Sequence, residues 1–167
     1  KNKLISTTGV TNTAINMIKN YSLELDGTGY TGTVIDGAQL ATGYPQYGTT
    51  EQKYLGEKSL GVSLTSDTGR YRVSQSVVAS FGPLSFNKLF PTGKTYEFSV
   101  WVKTQYFGTP DEGSWLEIEY KENSQIIDTV ESNRIKETAD WQRLSVRYTI
   151  PEYTAVTNQS LRFSVYT

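Results

Sequence analysis

The 167-residue chain contains no histidine and no cysteine, and these two absences remove much of the ordinary machinery of catalysis. Without histidine there is no side chain that titrates near neutrality unaided, and no Ser/His/Asp or Cys/His constellation can be assembled. Without cysteine neither disulfides nor thiolate metal sites form. The redox compartment stays open, because a domain of this size buries enough core to do without bridges. An excess of charge of one sign is also missing: 16 basic residues face 17 acidic ones, a formal charge of -1, which gives no long-range pull on nucleic acid or an anionic membrane. No apolar run approaches the roughly 18 residues that span a bilayer, and the start Lys1-Asn2-Lys3-Leu4-Ile5-Ser6 lacks the apolar stretch of a secretory signal. A nucleophile elbow, a P-loop and an EF-hand loop are missing too. Lysine in place of methionine at position 1 suggests a fragment or a processed product of a longer chain.

What the chain does have is aromatic surface and short alternating segments. Aromatic residues make up 13% of the sequence, with twelve Tyr beside six Phe and three Trp, a balance that supplies flat amphipathic rings tolerant of water. Apolar or alternating stretches recur between clusters of Gly, Asn, Asp, Ser, Thr and Pro, the pattern of an all-β sandwich or barrel. The reading gives about ten strands, near residues 15–18, 22–25, 31–35, 59–64, 71–78, 95–103, 114–121, 125–130, 142–150 and 160–166. No window of 11 to 18 residues sustains helical apolar spacing, so no sizeable amphipathic helix is expected, although a helical turn could form near Ser132 to Thr138. Residues 1–14 read as a lead-in, and residues 15–167 as one domain.

Two loops stand out. Residues 41–54 carry Pro, two Gly and three Tyr, too polar for a core strand, and a long tyrosine-rich loop in a compact domain is more often functional than a linker. Residues 105–113 present Tyr106 and Phe107 before the strand that opens with Trp115.

The clearest single signal runs from Phe90 to Lys103. Pro91-Thr92-Gly93 marks a turn, and strict alternation then sends Tyr96, Phe98, Val100 and Val102 to one face and Thr95, Glu97, Ser99, Trp101 and Lys103 to the other. The same period leaves Trp115, Glu117 and Glu119 opposite Leu116, Ile118 and Tyr120, and places Arg143, Ser145 and Arg147 outward from Leu144, Val146, Tyr148 and Ile150. It also leaves Arg162, Ser164 and Tyr166 outward from Leu161, Phe163 and Val165. If these strands share one sheet, its outer face displays Trp101, Trp115 and Tyr166 among Glu97, Glu117, Glu119, Lys103, Arg143, Arg147 and Arg162.

Such a face suits a sugar, whose C–H face stacks on a ring while its hydroxyls pair with carboxylates and guanidinia. The plainer reading of each charge is ordinary cross-strand pairing on a solvated sheet. For Trp101 the plainer reading is cover by a loop or a neighbouring domain. Trp141, following Asp140 at the start of its strand, reads as a buried edge residue. Glycoside hydrolysis is the competing chemistry, since Glu117 and Glu119 share a face at i, i+2 and the reaction needs two carboxylates about 5 to 10 Å apart. Nearby arginines are expected to keep both ionised, which argues against it.

Four segments, in order, carry a family resemblance. Asn16-Met17-Ile18-Lys19-Asn20-Tyr21-Ser22-Leu23-Glu24 resembles the "N-L-I-x-N-G-S-F-E" that opens the carbohydrate-binding modules of families 4, 9, 16 and 22. Tyr54 to Val62 is similar to their "G-x-x-S-L-x-V" strand, Pro91 to Lys103 to "P-G-K-T-Y-T-F-S-F-W-V-K" with one inserted Thr, and Trp141-Gln142-Arg143-Leu144 to "W-Q-R-V". The resemblance covers residues 15–167 and implies a β-sandwich jelly roll of two antiparallel sheets that binds polysaccharide or cell-wall glycan without cleaving it. It implies a module of a larger extracellular, secreted or cell-surface protein, without nucleic-acid partner or membrane insertion.

Similar domains also occur in large bacterial surface proteins and phage tail proteins, so a structural or protein-interaction sandwich is the alternative reading. The family's closing strand with Asp-Asp has no counterpart before Tyr166-Thr167. Members often hold a structural calcium through the acid of the first motif and one of that closing strand. Here Glu24 matches the first acid, and Asp26 with backbone carbonyls could supply part of the about six to eight oxygens that calcium takes.

Overall fold

The structure is a computed structural model, and it describes residues 25, 27–51, 54, 56–65, 68–78, 83–105, 113–152 and 158–167. The lead-in, the strands expected at residues 15–18 and 22–24, the calcium candidates Glu24 and Asp26, and the loop aromatics Tyr106 and Phe107 lie outside these residues.

Nine strands and one short helix make up the described elements. In chain order they are β1 (Thr31–Ile35), β2 (Gln46–Thr49), β3 (Ser59–Gly61), β4 (Arg70–Val78), α1 (Pro83–Leu89), β5 (Thr95–Thr104), β6 (Trp115–Glu122), β7 (Gln125–Glu131), β8 (Ala139–Thr149) and β9 (Gln159–Tyr166). Every strand pairing is antiparallel. A five-stranded sheet has the order β1-β4-β9-β6-β7, β5 pairs with β8, and β2 with β3.

Local chemistry explains the strand ends. In the turn before β5 the Lys94 amide donates to the Pro91 carbonyl at 3.1 Å, and Gly93 takes a positive φ of 75°, a conformation that costs glycine nothing sterically. The β6–β7 connection is a two-residue hairpin loop with positive φ at both Asn123 (48°) and Ser124 (69°). That backbone twist matches the twist of the flanking strands.

Alternation then builds the core. Tyr96, Phe98, Val100 and Val102 of β5 and Leu144, Val146 and Tyr148 of β8 pack against Leu116, Ile118 and Tyr120 of β6 and Leu161, Phe163 and Val165 of β9. The Phe98 and Phe163 rings meet edge to face across the two sheets at 5.3 Å, a favoured aromatic geometry. Each fully buried aliphatic or aromatic side chain here contributes about 1.5–3 kcal/mol. With the apolar faces turned toward each other, the two polar faces point away from each other.

Two expectations are corrected. Residues 41–54 were expected to be loop throughout, but Gln46–Thr49 form β2, because the short polar strand finds β3 alongside it. A helix forms at Pro83–Leu89 rather than near Ser132 to Thr138. Phe86 and Phe90, four residues apart and both buried, anchor it against Tyr120. Between Ser132 and Thr138 no helical turn forms: Ile135 bridges to Ser114 instead, and the two amides donate to each other's carbonyls at 2.9 Å.

Candidate functional site

The outward residues expected on one face are divided between two. β6 has β9 on one side and β7 on the other, so neither of its edges is free for β5 or β8. Trp101, Glu97, Arg143 and Arg147 therefore share the β5–β8 face, whereas Trp115, Glu117, Glu119, Arg162 and Tyr166 lie on the polar face of the five-stranded sheet.

The second face is closed. Trp115 is 1% exposed, Glu119 3%, Tyr166 7% and Glu117 8%, so the display of these four residues to solvent is not what the chain builds. The Trp115 ring lies parallel to Tyr166 at 4.5 Å and has the Arg134 guanidinium 3.8 Å from its centre. Stacking partners from the chain itself thus occupy the ring that a sugar would use. Tyr166 Oη donates to Glu117 Oε1 at 2.8 Å, and both Glu119 oxygens accept from the Arg162 guanidinium.

The carboxylate pair also departs from expectation. Burial pushes the Glu117 carboxyl above the usual range, helped by the charges of Glu119 and Glu131 and opposed by the Tyr166 hydroxyl. Among the described residues no guanidinium is fixed on Glu117 in the way Arg162 is fixed on Glu119, so burial outweighs the arginine charge at Glu117. A raised carboxyl pKa in the folded state means that folding favours the protonated form. Its contribution to stability is complete below the unfolded value, about pH 4, and is lost as pH rises through the folded value. The stability of the wild type relative to Glu117→Gln should therefore fall from pH 4 toward neutrality when both are unfolded in urea. A difference that stays constant with pH would show that Glu117 does not titrate differently on folding.

The β5–β8 face is open. Trp101 is 37% exposed and Tyr54, from the tyrosine-rich loop, 44%, and their rings stack with centroids 4.0 Å apart and planes 26° from parallel. Trp141, expected to be a buried edge residue, is half-buried and lies 5.8 Å from the same Tyr54 ring. A loop thus provides part of the cover for Trp101, and three aromatic rings gather at one end of the face. Neither Tyr54 nor Trp141 was among the sequence-derived site residues. The loop's tyrosine content pointed to the first, and the outward position of Trp141, two residues before Arg143, pointed to the second.

Beyond the rings the face is polar. Trp101 is directly across from Arg143, and Glu97 from Arg147. Arg143 donates to Glu97 Oε1 at 2.6 Å and to Ser99 Oγ at 2.9 Å, while Arg147 Nε donates to Glu97 Oε2 at 3.1 Å. The hydrogen bond from Arg147 and then that from Arg143 hold the Glu97 carboxyl below the usual carboxylate range. These side chains are fixed by register and by each other, with hydrogen-bonding capacity left toward solvent. Chemically, the face can stack an apolar ring surface at one end and donate several charge-assisted hydrogen bonds along the strands. Among the described residues no group of three or more acidic side chains is placed to hold a metal ion.

No protein-family model matches the chain, and no curated protein matches it. Among solved structures, the enzymatically active domain of bacteriophage CBA120 tailspike protein 4 is similar over 90% of this chain, with a TM-score of 0.59 and 12% identity. This chain spans only 19% of the length of that one. A family 16 carbohydrate-binding module is similar over 90% of this chain and 94% of its own, with a TM-score of 0.50 and 21% identity. At these identities the likeness concerns the fold, and the fold is the antiparallel β-sandwich of such modules.

Proposed function

We propose that the chain is a non-catalytic carbohydrate-binding module, part of a larger extracellular or cell-surface protein, and that its ligand lies along the β5–β8 face. The observation that carries this reading is the exposed Tyr54–Trp101 stack beside the Glu97–Arg143–Arg147 cluster. The aromatic ledge offers a surface for the C–H face of a pyranose, and the charged groups within the same sheet offer partners for its hydroxyls. The sandwich shared with a family 16 carbohydrate-binding module supports the reading at the level of fold. The chain's match to a small part of a much longer tailspike protein supports the notion of one module among several.

The lack of histidine, and the closure of the Glu117–Glu119 pair, favour binding over hydrolysis. Affinity gel electrophoresis against xylan, β-glucan, mannan and bacterial cell-wall polysaccharide tests the proposal. Retardation by at least one of these polymers, without release of reducing ends, is the expected outcome. Free migration in all of them would reject it.

A further inference from the structure

Building on the proposed glycan-binding face, its charge points to the class of glycan. The outward positions of β5 and β8 carry three cations, Lys103, Arg143 and Arg147, and one carboxylate, Glu97. Asp140, 3.7 Å from Lys103, brings the balance to three against two. The face is thus net positive in a chain whose formal charge is -1.

The distribution matters more than the sum. Both Glu97 oxygens already accept a hydrogen bond from a guanidinium, so about half of this acid's acceptor positions are taken by its own neighbours. Arg147 is held through Nε alone, its side chain is 75% exposed, and among the described residues its two terminal nitrogens have no partner. Fixing Nε on Glu97 removes part of the rotamer freedom of the side chain and turns its other nitrogens outward as donors that match a planar carboxylate. Arg147 lies four residues from Arg143, which faces Trp101. At the rise of a strand that is about 13 Å, so the aromatic ledge and the free guanidinium nitrogens are positioned for different units of one extended chain.

We propose that the preferred ligand of this face is an acidic polysaccharide, in which one sugar unit stacks at Tyr54 and Trp101 while the carboxylate of a uronic acid unit further along is gripped by Arg147. Neutral glycans of the same backbone would gain the stacking and lose the charge-assisted pair.

Matched polymers separate this inference from the reading beneath it. Polygalacturonate, alginate and glucuronoxylan would each be compared with their carboxyl-reduced forms, which keep the backbone and lose the charge, alongside the neutral polysaccharides named above. At least one acidic polymer is expected to bind about tenfold more tightly than its reduced form, the scale of one charge-assisted pair. Arg147→Gln should abolish that preference, bringing the affinities for the acidic polymer and for its reduced form together. Lys88→Gln, which removes a charge from α1 outside these rows, should leave it intact. Equal binding of both forms, binding of neutral polymers alone, or a preference that survives Arg147→Gln would overturn the inference while glycan binding stands. Failure of every polymer to bind would overturn both.

Discussion

Replacement of Trp101 by alanine is expected to weaken binding of the retained polysaccharide by about tenfold or more, the scale of one lost base- or sugar-sized stacking contact, while leaving the fold intact. The two parts of this expectation come from the same observation. The indole is 37% exposed and packs on Tyr54 outside the core, so truncation opens no internal cavity, and the fold should lose no more than about 1 kcal/mol. Tyr54→Ala should weaken binding less than Trp101→Ala does, since it leaves the strand-borne ring in place. The double variant should fall short of the sum, because the two rings are in contact. Isothermal titration with the retained glycan, paired with urea unfolding of each variant, reads both parts. Undiminished affinity in a folded Trp101→Ala protein would remove the β5–β8 face from consideration as the binding surface.

The largest effect on stability is expected on the opposite side of the sandwich. Arg162→Met should cost about 3–5 kcal/mol, because it leaves the Glu119 carboxylate without its guanidinium in a closed environment. The Glu119 side chain is only 4% exposed and that of Arg162 15%, and the pair is two-pronged. The nearby Lys121, with its ammonium 3.8 Å from Glu119, is too loosely placed to substitute. For a domain whose total stability is about 5–15 kcal/mol this is a large fraction. Replacing both members, as in Arg162→Met with Glu119→Leu, should restore much of the loss, since the penalty lies in the orphaned charge rather than in the missing attraction. Arg143→Met on the open face makes the comparison: its partner Glu97 stays at the surface and keeps Arg147, so the cost should be far smaller than at Arg162. Urea midpoints of the four proteins at neutral pH test the series, and equal losses at Arg162 and Arg143 would contradict the assignment of one closed and one open face.

How far the sequence carried is best judged strand by strand. β1 was legible residue for residue, and β4, β5, β6, β7 and β9 to within one or two residues at each end, because alternation and turn residues are local signals. The inward sets of β5, β6, β8 and β9 followed from the same period and form the core as read. Which strands share a sheet is a different kind of question. Alternation says which side of its own strand Trp115 occupies, and correctly sets it opposite Leu116, but carries no information about the strand alongside. That is why Trp115 and Trp101 seemed to belong together.

The closure of Glu117, Glu119 and Tyr166 was hidden for a related reason: an outward polar residue looks the same in sequence whether water or more protein lies above it. The helix went unread because seven residues are too few to sustain a 3.6-residue pattern, leaving only Phe86 and Phe90 to mark it. Of the candidate site, the strand-borne part (Trp101, Glu97, Arg143, Arg147) was legible, whereas Tyr54 depends on where a loop returns, which is set by tertiary packing.

The pairing of β5 with β8 has a kinetic consequence. Residues that meet across this pair are separated by the entire β6–β7 hairpin, with Thr95 opposite Thr149 and Trp101 opposite Arg143, so the face is made of contacts distant in sequence. Closing such loops costs chain entropy before any packing compensates for it, and non-local pairings of this kind slow folding. The hairpin, with its two-residue turn, can form on its own timescale, but the ledge and its charged cluster exist only once the chain on either side of the hairpin has come together. Binding at this face, as proposed, would therefore report that β5 and β8 have come together, and a peptide carrying β5 alone would present the same side chains without the surface they form.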